Sequence, residues 1–155
     1  MELLIAAVGR LKGGPEAEMV AEYAARATAA GRPLGLGPLT VAEIDDRRAR
    51  RSREQADRLL ETAGDSVIVV LDERGRQLAS PAFAERIATW RDDGRRRASF
   101  LIGGADGHDP DLRGRADLLL GFGPMVWPHA LARAMLAEQL YRAVSILAGS
   151  PYHRA

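Results

Sequence analysis

Three short segments concentrate the residue types from which a binding site can be built. They are Leu71-Asp72-Glu73-Arg74-Gly75, Leu101-Ile102-Gly103-Gly104-Ala105-Asp106-Gly107 and Phe122-Gly123-Pro124-Met125-Val126-Trp127-Pro128-His129. Each begins at the end of an apolar run that reads as a strand, and in open parallel sheets ligands bind beyond the carboxyl ends of the strands. Glycine at a strand end removes Cβ, so a flat ring or a phosphate can approach backbone amides and carbonyls. A plain tight turn is the commoner role of a lone Gly-Gly. Neither nucleotide fingerprint is present: Gly121-Phe122-Gly123 lacks a third glycine, and no Gly-Lys-Ser/Thr occurs. ATP and NAD lose ground.

His129 follows Pro128 at the mouth of the last helix. The bare amides of a helix N-terminus draw anions, and a hydrogen-bonding imidazole suits that place, most often as a cap. The tail Ser150-Pro151-Tyr152-His153-Arg154-Ala155 sets an aromatic ring, an imidazole and a guanidinium together. Tails fray by default, yet recognition of one extruded nucleotide calls for this set. Arg47–Arg58 carries six arginines against Glu54 and Asp57, and Arg91–Arg97 four against two acids. A solvated helix face explains either stretch; joint contact with an RNA backbone is an unspecific alternative.

The elements that must position these residues alternate. Leu3 to Val8, Leu39–Ile44, Ser66–Leu71, Ala98–Ile102 and Leu118–Phe122 read as strands. Met19, Tyr23 and Ala27 mark a helix opened by Pro15 and closed by Gly31 as C′ glycine with Pro33 beyond. Ala56, Leu59, Leu60 and Ala63 stripe a second helix, closed by Gly64. Ser80 as N-cap and Pro81 as first residue open a third, with Phe83, Ile87 and Trp90 inward and Gly94 as its stop. The last helix, about Ala130 to Ala148, is apolar almost all round and needs cover on more than one side. The order argues for one α/β domain over residues 1–155 with a mostly parallel, Rossmann-like sheet.

Composition narrows the function. The 155 residues hold 22 Lys+Arg against 21 Asp+Glu, a formal charge of +1, 46% hydrophobic residues and no cysteine. Bulk charge does not make this a polycation that grips nucleic acid unaided. Without cysteine there is no disulfide, thiolate zinc site or thiol nucleophile. No apolar run approaches a membrane span and the first residues lack a signal peptide's basic start, so a soluble cytoplasmic protein is expected. Lys12 is the only lysine, and a bias in the base composition of the gene is a simpler reading of this than phosphate recognition.

These motifs together resemble a known family. Leu71-Asp-Glu-Arg-Gly with Ser80 and Phe83-Ala84, Leu101-Ile-Gly-Gly-x-x-Gly, Pro128-His129 with Leu131 and Arg133, Glu138-Gln-Leu-Tyr-Arg-Ala and the terminal Pro151-Tyr-His-Arg are similar to the bacterial large-subunit (23S) ribosomal RNA pseudouridine N3-methyltransferases of the SPOUT superfamily. The likeness spans the whole chain. It implies a C-terminal trefoil knot, an exception to the usual unknotted connections, a homodimer, and S-adenosylmethionine (SAM) as methyl donor. The donor's pocket would be formed by Leu71, Gly103, Gly104 and Phe122, Gly123, Pro124, Met125, Val126 and Trp127. His129, Arg142, Tyr152, His153 and Arg154 would meet the RNA, some from each protomer, on an assembled ribosome. The chain departs from the family pattern at Pro124, Trp127 and Ala130, where side-chain contacts differ while backbone contacts carry over.

The implied reaction is in-line transfer of a methyl group from a sulfonium to N3 of the base. The donor is already activated, so no metal is required. Removal of the weakly acidic N3 proton favours a base that works near neutrality, which nominates His153 and then His129 as catalytic groups. Holding N3 in line with the methyl supplies the rest. Three rivals remain: the same fold acting on another RNA such as transfer RNA, a non-catalytic ribosome-associated binding protein, and a small-ligand sensor.

Overall fold

A computed structural model describes residues 1–154; Ala155, the last residue of the tail, lies outside the described residues. Five strands form one sheet in the order β2-β1-β4-β3-β5: β1 Glu2–Val8, β2 Leu39–Ile44, β3 Val67–Arg76, β4 Arg97–Ile102 and β5 Leu118–Leu120. Every pairing is parallel. β1 and β4 lie inside the sheet and are buried along nearly their whole length, whereas edge strand β2 is buried only at its two ends, Leu39 and Ile44.

The side chains sort by pleat. Leu3, Ile5, Val69, Phe100 and Leu120 point to one face, covered by α1 (Pro15–Gly31), α3 (Ser80–Asp92) and α5 (His129–Leu147). Leu4, Ala6, Ile68, Val70 and Leu101 point to the other, covered by α2 (Ser52–Ala63) and the short α4 (Pro110–Gly114). α5 packs against both α1 and α3, so its all-round apolar character has its cause: Leu136, Leu140 and Val144 are sealed.

Several local expectations change. The sheet is wholly parallel rather than mostly so. Gly31 is not a left-handed C′ residue; its φ is −80°. Glycine is required because a Cβ would stand 2.5 Å from the Leu36 carbonyl oxygen, and the left-handed residue that ends the following 3₁₀ turn is Gly35. Met19 is exposed, not on the buried stripe. The N-cap of α3 is Ala79, and the Ser80 hydroxyl instead donates to Gln139 Oε1 on α5 at 2.8 Å. α4 was not anticipated, although Asp109-Pro110 carries its start signal: the Asp109 carboxylate accepts the Asp111 amide.

β3 and β5 exchange length. β3 continues through the charged Asp72–Arg76, and β5 stops at Leu120 instead of Phe122. The ladder shifts register there, so that Leu71 and Arg76 both pair with Leu120, and the Gly121 amide donates to the Arg76 carbonyl at 3.0 Å. Backbone lies on backbone: a Cβ on Gly75 would fall 2.3 Å from the Leu120 carbonyl carbon, and one on Gly121 2.8 Å from the Gly75 oxygen. Only two glycines allow this crossing.

Candidate active site

Because every strand is parallel, the loops after all five emerge on one edge. A cavity of about 350 Å³ opens there beyond β3, β4 and β5, beside the first turn of α5. Leu71, Ile102, Leu120, Phe122 and Met125 give it apolar walls, and Asp72, Glu73, Arg113 and His129 give it polar ones. Of the nine residues assigned to a methyl donor by resemblance, Leu71, Gly103, Gly104, Phe122, Gly123, Met125, Val126 and Trp127 line this cavity; Pro124 does not. Met125 and Val126 are strongly exposed, and Trp127 Nε1 donates to the Phe122 carbonyl at 3.4 Å.

The Gly103–His108 loop is a tight turn as well as a cavity wall. Gly107, at φ +75°, donates its amide to the Gly104 carbonyl. Gly103 and Gly104 also have internal reasons to be glycine. A Cβ on the first would lie 3.1 Å from the His108 ring, and on the second 2.9 Å from Gln55 Oε1 on α2. His108 was missed in the sequence. Its ring is buried and its Nε2 accepts the Gly103 amide at 3.1 Å. Burial pushes the imidazole below its ordinary value, partly opposed by the Asp72 carboxylate. Asp72 is itself nearly buried, 3.6 Å from Arg113. Nothing in the spacing of Asp72, His108 and Arg113 announces that three separate elements meet; only a histidine beside a glycine-rich strand end could have raised suspicion.

The proposed RNA-facing residues divide into two places. His129 opens α5 at the cavity. Arg142, Tyr152 and His153 gather further along the helix around Glu138, the tenth of its 19 residues, and Arg154 follows them, exposed. Glu138 Oε1 accepts from Arg142 Nη2 at 2.6 Å and from the Tyr152 hydroxyl at 2.9 Å. Arg142 also lies over the Tyr152 ring, 4.8 Å from its centroid. Its Nη1 is 3.3 Å from His153 Nδ1. Burial, then the bond to Glu138, pushes the Tyr152 phenol well above its usual range, and Glu138 raises the Arg142 guanidinium. The tail through His153 is therefore folded onto α5 rather than frayed. None of these four residues lines the cavity. The 13 residues from His129 to Arg142 span about 20 Å of helix at 1.5 Å each.

A second cavity, about 450 Å³, lies on the α1/α3/α5 side and shares Leu120, Phe122 and Gly123 with the first. Met19, Leu78 and Met135 line it, with Glu138 and Gln139 at its polar side. Among the described residues no group of three or more Asp, Glu or His could hold a metal ion.

A wholly parallel, three-layer α/β domain with a glycine-walled cavity at its strand ends belongs to the class of doubly wound ligand-binding proteins. Comparison with known proteins narrows the class. The model of a predicted SPOUT methyltransferase family matches residues 1–153, and the chain belongs to that family. It is 57% identical to the Ribosomal RNA large subunit methyltransferase H of Paracoccus denitrificans, over 99% of each chain. It is 56% identical to the protein of the same name in Cereibacter sphaeroides, again over 99% of both. The fold is shared with a probable methylase family protein from Haemophilus influenzae Rd KW20, at TM-score 0.53 and 14% identity, covering 99% of this chain and 70% of that one. The resemblance drawn from the strand-end and tail motifs therefore holds at family level.

Proposed function

We propose that this chain methylates N3 of a pseudouridine in large-subunit ribosomal RNA, using S-adenosylmethionine, as one domain over residues 1–155 that acts in the cytoplasm as a homodimer. What supports the reaction is the strand-end cavity in a member of a methyltransferase family whose full-length relatives are named for large-subunit RNA. The cavity suits the donor: apolar walls at Leu71, Ile102 and Met125 for a flat adenine, backbone of Gly103 to Gly107 for hydrogen bonds, and Asp72 and Glu73 for cationic groups. Bound there, SAM supplies an activated methyl group. The trefoil threading of the family is part of this reading, supported by the match to the SPOUT family. No helix among the described residues is long and apolar enough to cross a membrane.

One observation supports the dimer. His129 is at the cavity, whereas the tail is held further along α5, by Glu138 nine residues on and Arg142 thirteen residues on, about 14 and 20 Å of helix rise. A single methyl group cannot engage both places on one helix, so the tail that meets the base comes from a second protomer. Arg142 can only donate, so His153 Nδ1 accepts and the ring proton is on Nε2. In this arrangement His153 offers the base a donor, suited to a pseudouridine carbonyl oxygen. His129, exposed at the cavity, is then the better placed of the two imidazoles to take the N3 proton.

Transfer of labelled methyl from SAM to intact ribosomes, separated subunits and naked RNA, followed by mass-spectrometric mapping of the modified nucleotide, tests the assignment. A mark on a large-subunit pseudouridine is expected. A mark on transfer RNA, or SAM binding without any transfer, would replace it. Single-turnover rates across pH for His129→Gln and His153→Ala separate the two imidazoles: loss of the pH-dependent limb is expected only for His129→Gln.

A further inference from the structure

The two arginine-rich stretches, indistinguishable in sequence, fall on opposite edges of the sheet. Arg91–Arg97 lies at the amino edge, where Arg97 pairs with Glu2 at 2.7 Å and Arg91 with Asp92 at 2.8 Å. Arg47–Arg51 follows β2 and therefore lies on the carboxyl edge, the edge that carries the cavity. Beside it is the loop after β1, with exposed Arg10 and Lys12.

Contacts tie this basic edge to the site. The Gly9 amide donates to the Ile44 carbonyl at 2.8 Å, joining the two loops. Arg133, one turn into α5 from His129, is buried; its guanidinium donates to the Gly9 carbonyl at 3.0 Å and to Glu43 at 2.7 Å. At the start of α2, Arg53 pairs with Asp111 on α4 at 2.9 Å, and Gln55 packs against Gly104. The loops thus flank the cavity on a braced frame. Their charge is mostly free. Asp45 engages Arg47 and Arg48, whereas Arg10, Lys12, Arg50 and Arg51 are exposed and make no ion pair among the described residues. Asp45, which Arg10 also faces, Asp46 beside Gly9 and Glu54 are the nearby opposing charges.

We propose that Arg10, Lys12, Arg50 and Arg51 form a collar for the phosphodiester backbone of the RNA whose base enters the neighbouring cavity, while the Arg91–Arg97 edge takes no part. This rests on the proposed RNA methylation and adds where the strand is held. Four unpaired cations on two adjoining loops fit successive phosphates, which carry no sequence information and set register only. A chain with a formal charge of +1 can in this way hold RNA locally without being a general polycation.

The test compares Arg10→Gln/Arg50→Gln/Arg51→Gln with Arg95→Gln/Arg96→Gln in the full-length protein, with melting curves and SAM calorimetry as folding controls. For the triple variant, KM for the ribosomal substrate should rise about tenfold or more, and the slope of log affinity against log salt should flatten by about 2, at about 0.7 per single-strand phosphate contact. Its kcat and SAM affinity should stay within about twofold, since no cavity residue is altered. The control pair should change nothing. An unchanged KM and salt slope in the triple variant, or an equal change in the control pair, overturns the collar. If the wild-type protein methylates no ribosomal RNA, the proposed function fails separately. The collar is then judged by salt-dependent retention of large-subunit RNA, and equal retention by wild type and triple variant refutes it.

Discussion

The Tyr152 hydroxyl donates to Glu138 at 2.9 Å across 14 residues of chain, and this bond returns the C-terminal tail to the helix it has just left. The same carboxylate oxygen holds Arg142, which in turn reaches His153. Glu138 is thus a positioning residue: it sets the tail's geometry without itself lining the strand-end cavity.

Glu138→Gln keeps the shape but removes the charge that makes these bonds strong, and charge-assisted bonds are worth roughly twice neutral ones. We expect kcat to fall about tenfold or more, in line with about 1.5–3 kcal/mol for bonds to a charged group. SAM affinity should be unchanged, and amide hydrogen exchange at residues 150–154 should speed up. Unaltered exchange together with lost activity would show that Glu138 acts by touching substrate instead.

Gly121→Ala and Gly75→Ala each force a Cβ into opposing backbone, at 2.8 Å and 2.3 Å. Backbone cannot swing aside as a side chain does, so each should cost about 3 kcal/mol or more. Gly114→Ala in α4, where a Cβ meets nothing within 4 Å, is the control and should be neutral or slightly stabilising. Thermal melts decide the matter.

His108 makes stability depend on pH in a known direction. Its folded-state value lies below the ordinary 6.5, first because of burial. Above that pH neither folded nor unfolded chain binds a proton at this site. As pH falls through 6.5 the unfolded chain takes one up and the folded chain resists, so stability declines by at most about 1.4 kcal/mol per pH unit until the folded value is passed. SAM affinity should hold through this window and weaken only as pH falls through the lower folded-state value, because only then is the folded ring protonated and unable to accept the Gly103 amide. His108→Gln should flatten both profiles in denaturant titrations and calorimetry from pH 5 to 8.

Arg133 and Glu43 are an unequal pair: the guanidinium is 2% exposed and the carboxylate 33%. Glu43→Leu strands a buried cation and should cost about 3–5 kcal/mol. Arg133→Met leaves a carboxylate that water can reach and should cost less. Denaturant midpoints that reverse this order would show that the Arg133 bonds to the Val8 and Gly9 carbonyls dominate.

What was legible in the sequence follows interaction range. Apolar period and Gly or Pro punctuation located five strands and four of the five helices, because each signal is local. The strand-end rule then pointed to the loops that form the cavity. The extension of β3 through Asp72–Arg76 escaped notice because charged residues become a strand there only through pairing with Leu120 and Gly121, some 45 residues on. His108 escaped for the same reason: its meaning lies in the Gly103 amide and in Asp72 on another strand. Tyr152 and His153 were singled out by type, but their distance from His129 required α5 to be straight and the tail to fold back upon it.

That distance yields the sharpest prediction. If the tail of one protomer completes the cavity of the other, two inactive variants should rescue each other. Gly103→Val presses side-chain atoms against the His108 ring and blocks the cavity, whereas Arg142→Ala disables the tail. Each alone should transfer no methyl. After mixing, unfolding and refolding together, half the dimers are mixed, and one of the two sites in each joins an intact cavity to an intact tail. Activity should recover to about a quarter of wild type per protomer, as expected of a two-fold dimer. No recovery, with mixed dimers shown to be present by mass spectrometry, would place tail and cavity of the same chain in one site and require α5 to unwind during the reaction.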